Sequence, residues 1–403
     1  MLKKFDMSDN SSNVIAFCGT RGVPANYGGF ETAVDQISRH FVAAGYRCRV
    51  YCRLSSGYDA VPEHERRELV YIKGSKYRKL DTFISSIQTA WHLWRNRREY
   101  RHIFWFNNAN FPGIIMSLFT GVSISVNTDG LEWRRKKWSW PFKLYYILSS
   151  FIISRLCPVL ISDSHAIQDY YREKFKRKTE FIPYGVPPAV SIDNGRADSI
   201  MEEYDLEPGK YFLQVTRFEP DNMPLEIASA FINSGLAKSG YKYAVVGYKE
   251  KTDYAGKIKE LDGKSGVVVL NAVYDPEVLA ILRKNSFCYL HGNSVGGTNP
   301  ALLEAMASCP RVLAIDIIFS REVLGDTGWF FNPENIEEAL QKIVETPNKS
   351  GDMFSRIRNN YRWKAVAKSY MNLAEGIAAR YEMDLLSIKE LVGDKTLSEE
   401  KVC

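Results

Sequence analysis

Twice along these 403 residues, short strand-like runs alternate with helix-length patterns, and that alternation confines the chain to a narrow class of folds. An apolar run at 13–18 and strand-like runs at 47–52, 102–106, 123–127, 158–162 and 180–182 are interleaved with helical patterns at 31–44, 82–96, 143–154 and 166–175. Strands that read as continuous apolar runs are buried on both faces, and strands joined through helices pair in parallel by right-handed crossovers. Residues 13–190 are therefore expected to form a doubly wound, Rossmann-like α/β domain. The pattern lapses between 186 and 209 and then restarts. Runs at 211–216, 243–246, 267–270, 287–290 and 311–314, with helical patterns at 224–233, 255–261, 276–284 and 300–307, predict a second such domain over 205–350. Helical patterns at 336–346, at the end of that domain, and at 361–386 close the fold, with closing helices expected over 351–390, a flexible N-terminus at 1–12 and a polar tail at 391–403. Open α/β sheets take ligands at the carboxyl ends of their strands, so the two domains are expected to face a cleft, donor on one side and acceptor on the other.

Composition narrows the setting. With 45% hydrophobic and 25% charged residues the chain is globular, and a net charge of +6 permits an acidic partner without requiring one. Cys18, Cys48, Cys52, Cys157, Cys288, Cys309 and Cys403 are scattered and form no CxxC pair, which argues against a disulfide framework or zinc cage and for a reducing compartment. The most apolar window, 144–161, is broken by Arg155 and Pro158, and the first residues lack a signal-like apolar core. The expectation is a cytoplasmic protein, peripheral on the inner face of the cell membrane.

Four loops carry the candidate chemistry. In SVGGTNPALLEAMA, 294–307, Gly296 and Gly297 let the backbone approach a phosphate, and Thr298 and Asn299 precede Pro300 at the start of a helix containing Glu304. The free N–H groups of that first turn make an anion site, although a tight turn before a buried helix reads equally well. In GTRGVPANYGGFE, 19–31, Gly28 and Gly29 open the first helix as a phosphate or sugar cradle, with Tyr27 beside them on the acceptor side. The missing G-x-G-x-x-G spacing argues against a dinucleotide cofactor. In NTDGLEWRRKKW, 127–138, Asp129 stands at a strand's carboxyl end with Glu132 close by, as catalytic or acceptor-side carboxylates, unless Asp-Gly is simply a turn. In TRFEPDN, 216–222, Arg217 ends a strand where a guanidinium reaches a diphosphate, and Asn222 closes the segment.

Six histidines never pair at ligand spacing and no Asp-x-Asp pair occurs, so no metal or other cofactor is expected. The basic run is isolated from any RNA- or DNA-reading module, so no nucleic acid is expected either. Its interleaving of Trp133 and Trp138 with Arg134, Arg135, Lys136 and Lys137 suits an anionic membrane surface; the alternative packs the aromatics inside and leaves the cations solvated.

These motifs, in order over residues 14–373, resemble GT-B glycosyltransferases similar to family 4 of the sequence-based classification. GTRGVPANYGGFE with NTDGLEWRRKKW is close to the subgroup of bacterial rhamnosyltransferases that build capsule, O-antigen and cell-wall polysaccharide. VLISDSHAIQDYY with IPYGV resembles the end of that family's first domain, VTRFEPDN its phosphate-binding arginine segment, and GGTNPALLEAM its carboxylate motif. The resemblance implies retaining transfer from a nucleotide diphosphate sugar to a lipid-linked or oligosaccharide acceptor. Arg217 would meet the leaving diphosphate, Glu304 the ribose, and Asp129 the acceptor. Arg217 and Glu304 would then lie outside any core, and alanine at either would leave the fold intact. Two positions depart from the family: Asn222 replaces a usual lysine and Gly296 a usual glutamate. A thymidine diphosphate rhamnose donor is expected. A UDP- or GDP-hexose donor, a GT-B epimerase and an inactive nucleotide-sugar-binding paralogue are the alternatives.

Overall fold

The structure is a computed structural model that describes residues 13–25, 28–54, 61–75, 77, 80–128, 130–135, 138–186, 190–249 and 251–381. Their contacts divide into two compact units: 13–133 with 140–184 and 363–381, and 185–362 with the crossing segment Arg134–Ser139.

The first unit is built on an eight-stranded sheet. Its elements in order are β1 (Val14–Cys18), α1 (Gly29–Ala43), β2 (Arg47–Arg53), β3 (Glu63–His64), β4 (Arg67–Ile72), α2 (Asp81–Arg95) and β5 (Tyr100–Phe106). There follow α3 (Phe111–Ser117), β6 (Ser123–Asn127), α4 (Trp140–Leu156), β7 (Val159–Ser162), α5 (His165–Lys174) and β8 (Glu180–Phe181). The strand order is β3-β4-β2-β1-β5-β6-β7-β8, parallel except for the β3–β4 edge pair. β1, VIAFC, is buried along its whole length and pairs with β2 and β5, so the strand order reverses there. Phe17 sets the centre of the core, stacked on Phe104 and edge-on to Phe41.

The second unit comprises α6 (Asn194–Glu203), β9 (Tyr211–Val215), α7 (Pro224–Ser234), β10 (Lys242–Tyr248), α8 (Asp253–Lys259), β11 (Val267–Asn271) and α9 (Pro276–Asn285). It continues through β12 (Cys288–His291), α10 (Pro300–Ser308), β13 (Val312–Ile315), α11 (Ile318–Leu324), β14 (Trp329–Phe331), α12 (Ile336–Ile343) and α13 (Ser350–Asn360). All six strands are parallel, in the order β11-β10-β9-β12-β13-β14, and the reversal falls between β9 and β12. Two parallel-sheet Rossmann-like units are thus present.

The segment expected to supply closing helices is divided. α13 packs on α10 in the second unit, whereas α14 (Trp363–Ala374) returns to the first unit and packs on α1. It stops well short of 386 because Gly376 takes a left-handed φ of 74° and the Ile377 N–H turns back to the Asn372 carbonyl at 2.8 Å. Residues 382–386 of the expected helix lie outside the described residues.

Candidate functional site

In the second unit the loops that follow β9 and β12 are locked together at the point where the strand order reverses. Ser294 donates both its N–H and its hydroxyl to the Asp221 carbonyl, each at 2.9 Å. Gly292 lies so close to the Asn222 carbonyl that a Cβ there would sit 2.4 Å from the oxygen. Asn222 is buried, and its amide donates to the Arg217 carbonyl at 2.9 Å. The turn thereby presents the Arg217 side chain outward, 56% exposed, with only a loose 3.6 Å pairing to Glu219.

α10 begins beside this junction. Asn299 caps it, accepting from the Ala301 N–H at 2.9 Å, with Pro300 in the first helical position. Gly296 has φ +152°, a conformation suited to glycine, and Thr298 is buried. Glu304, one turn into the helix, receives Arg283 of α9 on Oε2. Tyr289 of β12 lies within the field of both charges and donates to the Val215 carbonyl at 3.1 Å; burial pushes its phenol up. His291, which ends β12, is held down at about 4 by burial and is neutral at ordinary pH.

The first unit has a comparable junction where its own strand order reverses. Asn110 donates to the carbonyls of Gly19 and Phe106, each at 2.9 Å, tying the loop after β1 to the end of β5. Gly19 must be glycine: φ is +95° and a Cβ would lie 2.2 Å from the Phe106 carbonyl oxygen. Arg53, at the end of β2, reaches Thr82 at 3.0 Å and Asp81 at 3.5 Å, and burial lowers its basicity. Asn108 donates to Ser150 and Tyr171, each at 2.9 Å, and Asn107 adopts φ +74° with its side chain capping Ala109 at 2.7 Å.

Family models match the two parts of the chain separately. Residues 12–187 match a domain of unknown function (DUF1972), and residues 197–362 match glycosyl transferases group 1. The group 1 match falls on the second unit, 185–362, over most of its length. Over 263 residues the chain is 25% identical to the O-antigen chain mannosyltransferase RfbU of Salmonella typhimurium, a match covering 64% of this chain and 65% of that relative's length. The sucrose-phosphate synthase of Thermosynechococcus elongatus superposes with a TM-score of 0.71 at 16% identity, covering 91% of this chain and 98% of its own. Anabaena HepE, solved with UDP-glucose, gives 0.68 at 14%, covering 90% and 100%. The fold is GT-B.

Within the second unit, Arg217, Asn222, Gly296, Gly297, Thr298, Asn299 and Glu304 all lie on the two loops and the helix just described. Gly28 and Gly29 belong to the first unit, as the extended residue before α1 and its first residue. Asn222 is less available than expected, because its amide is spent inside the turn.

The 127–138 segment departs most from expectation. Trp133 is buried against Tyr170, with ring centroids 5.5 Å apart, and Arg135 is buried, reaching the Val295 carbonyl at 3.4 Å. A guanidinium that finds a backbone acceptor and a tryptophan that finds a ring are held in the protein, so neither is offered to a membrane. Glu132 and Arg134 lie in a short 3-10 turn and Trp138 is half-buried. Asp129, Tyr27, Lys136 and Lys137 lie outside the described residues.

Sequence reading missed Arg283, Gly292 and the Asn107–Asn110 turn. The last left a signal, since NNAN directly follows an apolar run ending at 106.

Proposed function

We propose that this chain transfers a sugar, with retention of configuration, from a nucleotide diphosphate sugar to a hydroxyl of a lipid-linked or oligosaccharide glycan in bacterial surface polysaccharide assembly. The observation that carries the reading is the locked pair of loops at the β9/β12 reversal, inside the part of the chain that matches glycosyl transferases group 1, where open α/β sheets take nucleotides. The diphosphate lies on the N-terminus of α10 and the backbone of 296–299, with Arg217 reaching it from the facing loop. As the sugar–oxygen bond breaks, charge gathers on the departing phosphate. The helix end offsets it by about 0.3–2 kcal/mol and the guanidinium adds charge-assisted hydrogen bonds. No metal is invoked, a reading supported by the lack of an Asp-x-Asp pair in the sequence. Glu304 holds the ribose through the oxygen that Arg283 does not take. Asp129 of the first unit binds or polarises the acceptor, and the lipid-linked acceptor holds the enzyme at the inner face of the cell membrane.

Two donors are supported by different observations. The motif resemblance favours thymidine diphosphate rhamnose, and similarity to a mannosyltransferase favours a mannose donor. With Gly296 in place of a carboxylate, the sugar hydroxyls are read by backbone. The test is thermal unfolding with dTDP-rhamnose, GDP-mannose and UDP-glucose. A true donor at a hundredfold its Kd stabilises by about 2.7 kcal/mol, and Arg217→Ala loses that gain. If none of the three stabilises the wild type, or if Arg217→Ala keeps the full gain, the donor site is wrong. Asp129→Asn is expected to bind donor normally and to transfer nothing. A variant that loses donor binding yet turns over would reverse that assignment.

A further inference from the structure

α4 is inside out. Its face toward the first unit carries Tyr146, Ser149, Ser150, Ile153 and Ser154, while Trp140, Leu144, Ile147, Leu148 and Phe151 are exposed. These five recur at helical spacing and make one outward stripe, headed by Trp140 at 75% exposure. A helix bathed only in water would turn its serines out and its leucines in. The charged residues on α4 are Lys143 and Arg155 alone, near its two ends, and Arg155 lies 5.1 Å over the Phe151 ring.

Apolar exposure is not confined to α4, and α3 packs against both α2 and α4. Phe119, just after α3, is 78% exposed, and Trp91 and Trp94 of α2 are exposed and stacked at 5.4 Å, with Arg97 5.0 Å over Trp94. A stripe of exposed apolar side chains on α4, with further exposed aromatics on helices packed beside it, marks an interaction surface, unlike residues exposed singly. Charge selects the occupant. The sequence has no Asp or Glu at 82–98, 100–128 or 133–162, whereas Arg95, Arg98 and Arg155 are exposed among the aromatics. A second copy paired through the same face would set these cations against themselves. An anionic bilayer offers apolar depth to the rings and phosphate to the cations, and tryptophan favours that boundary. Among the described residues no helix is long and apolar enough to cross a membrane, so α4 would lie along the surface.

We propose that the α2–α3–α4 face of the first unit docks on an anionic lipid bilayer, with α4 in the plane of the headgroups. This gives a surface to the membrane association in the proposed function and rests on that reading only for its purpose. The full chain is sedimented with vesicles of phosphatidylethanolamine alone or mixed with phosphatidylglycerol, at low and high salt. Wild type is compared with Trp140→Ser and with Leu148→Glu/Phe151→Glu, all substitutions at exposed positions, and circular dichroism confirms folding. Wild type binds the mixed vesicles more tightly than the neutral ones and loses affinity in salt. Trp140→Ser weakens binding about tenfold and the double variant on the order of a hundredfold. Undiminished vesicle binding by folded variants, or a wild-type dimer that the double variant dissociates, overturns the docking face. Nucleotide-sugar stabilisation is read on the same samples: its absence in wild type overturns the proposed reaction, while the vesicles decide the face.

Discussion

Glu304 meets Arg283 in the structure and the donor's ribose in the proposed function, and its replacement should show both roles. Its side chain is 26% exposed and meets Arg283, which is only 8% exposed, so removing the carboxylate leaves a nearly buried guanidinium without its counter-charge. Glu304→Ala is therefore expected to lose about 1–3 kcal/mol of stability, below the full penalty for a buried pair because Glu304 is partly solvated. The alanine variant is thus expected to keep its fold, as the sequence suggests, but with a smaller margin of stability. Glu304→Gln keeps an acceptor for Arg283 and should lose less than about 1 kcal/mol while still weakening donor binding. Urea unfolding beside donor titration separates the two effects, and equal stability of the alanine variant and wild type would dismiss the ion pair. Gly292 gives the second residue-scale outcome. Gly292→Ala drives a methyl to 2.4 Å from the Asn222 carbonyl oxygen, which must move, at a cost of about 1–3 kcal/mol. A thermal midpoint unchanged from wild type would mean that the loop yields freely. The motif glycines were legible because they stood beside a helix start, whereas Gly292 looked like any loop glycine: its necessity lies in a carbonyl seventy residues earlier in the chain.

At the scale of elements, each sheet carries a histidine that burial keeps neutral. His102 of β5 is held down at about 3 by burial and by Arg101, and His291 of β12 at about 4 by burial. Unfolded, both take up a proton below about pH 6.5, so the stability tied to their neutral form is present above that value and is lost as pH falls toward the folded value. Between about pH 6.5 and 5 each is expected to remove on the order of 2 kcal/mol, before ordinary carboxylates begin to titrate. Urea unfolding at stepped pH reads this, and His291→Gln should flatten the slope for the second unit; a slope of zero in wild type would count against neutral burial. The strands holding these histidines were legible as apolar runs because they are buried on both faces. β3, β14, α3 and α11 were not, being short elements whose form depends on neighbours rather than on their own periodicity. α4 was legible as a helix, but the direction of its apolar stripe could be read only from the surface it leaves uncovered.

For the whole molecule, the chain's return to its first unit has the largest consequence. α14 inserts Tyr370 between Phe104 and Phe106, at 5.1 and 6.1 Å between centroids, and its hydroxyl accepts from Asn127 at 2.6 Å, at the end of the strand that leads to Asp129. Glu375 receives Tyr46 at 2.7 Å and also Arg101, and the Ala379 N–H reaches Glu180 at 3.0 Å. The first unit is thus completed by residues nearly two hundred positions downstream of its last strand, which no local pattern announces. Trp363, Val366, Tyr370 and Leu373 are all buried there. At about 1.5–3 kcal/mol for each, losing them would remove roughly 6–12 kcal/mol, comparable with the entire stability of a domain. A fragment of residues 1–187 is accordingly expected to lack a cooperative thermal transition and to be cut rapidly by protease, and a fusion of 363–381 to its end through a flexible linker to restore both. Tyr370→Phe in the full chain should cost about 1–3 kcal/mol, since the Asn127 amide is left buried without its acceptor. A fragment of 1–187 that melts cooperatively near the wild-type temperature would show instead that α14 only decorates a unit already complete.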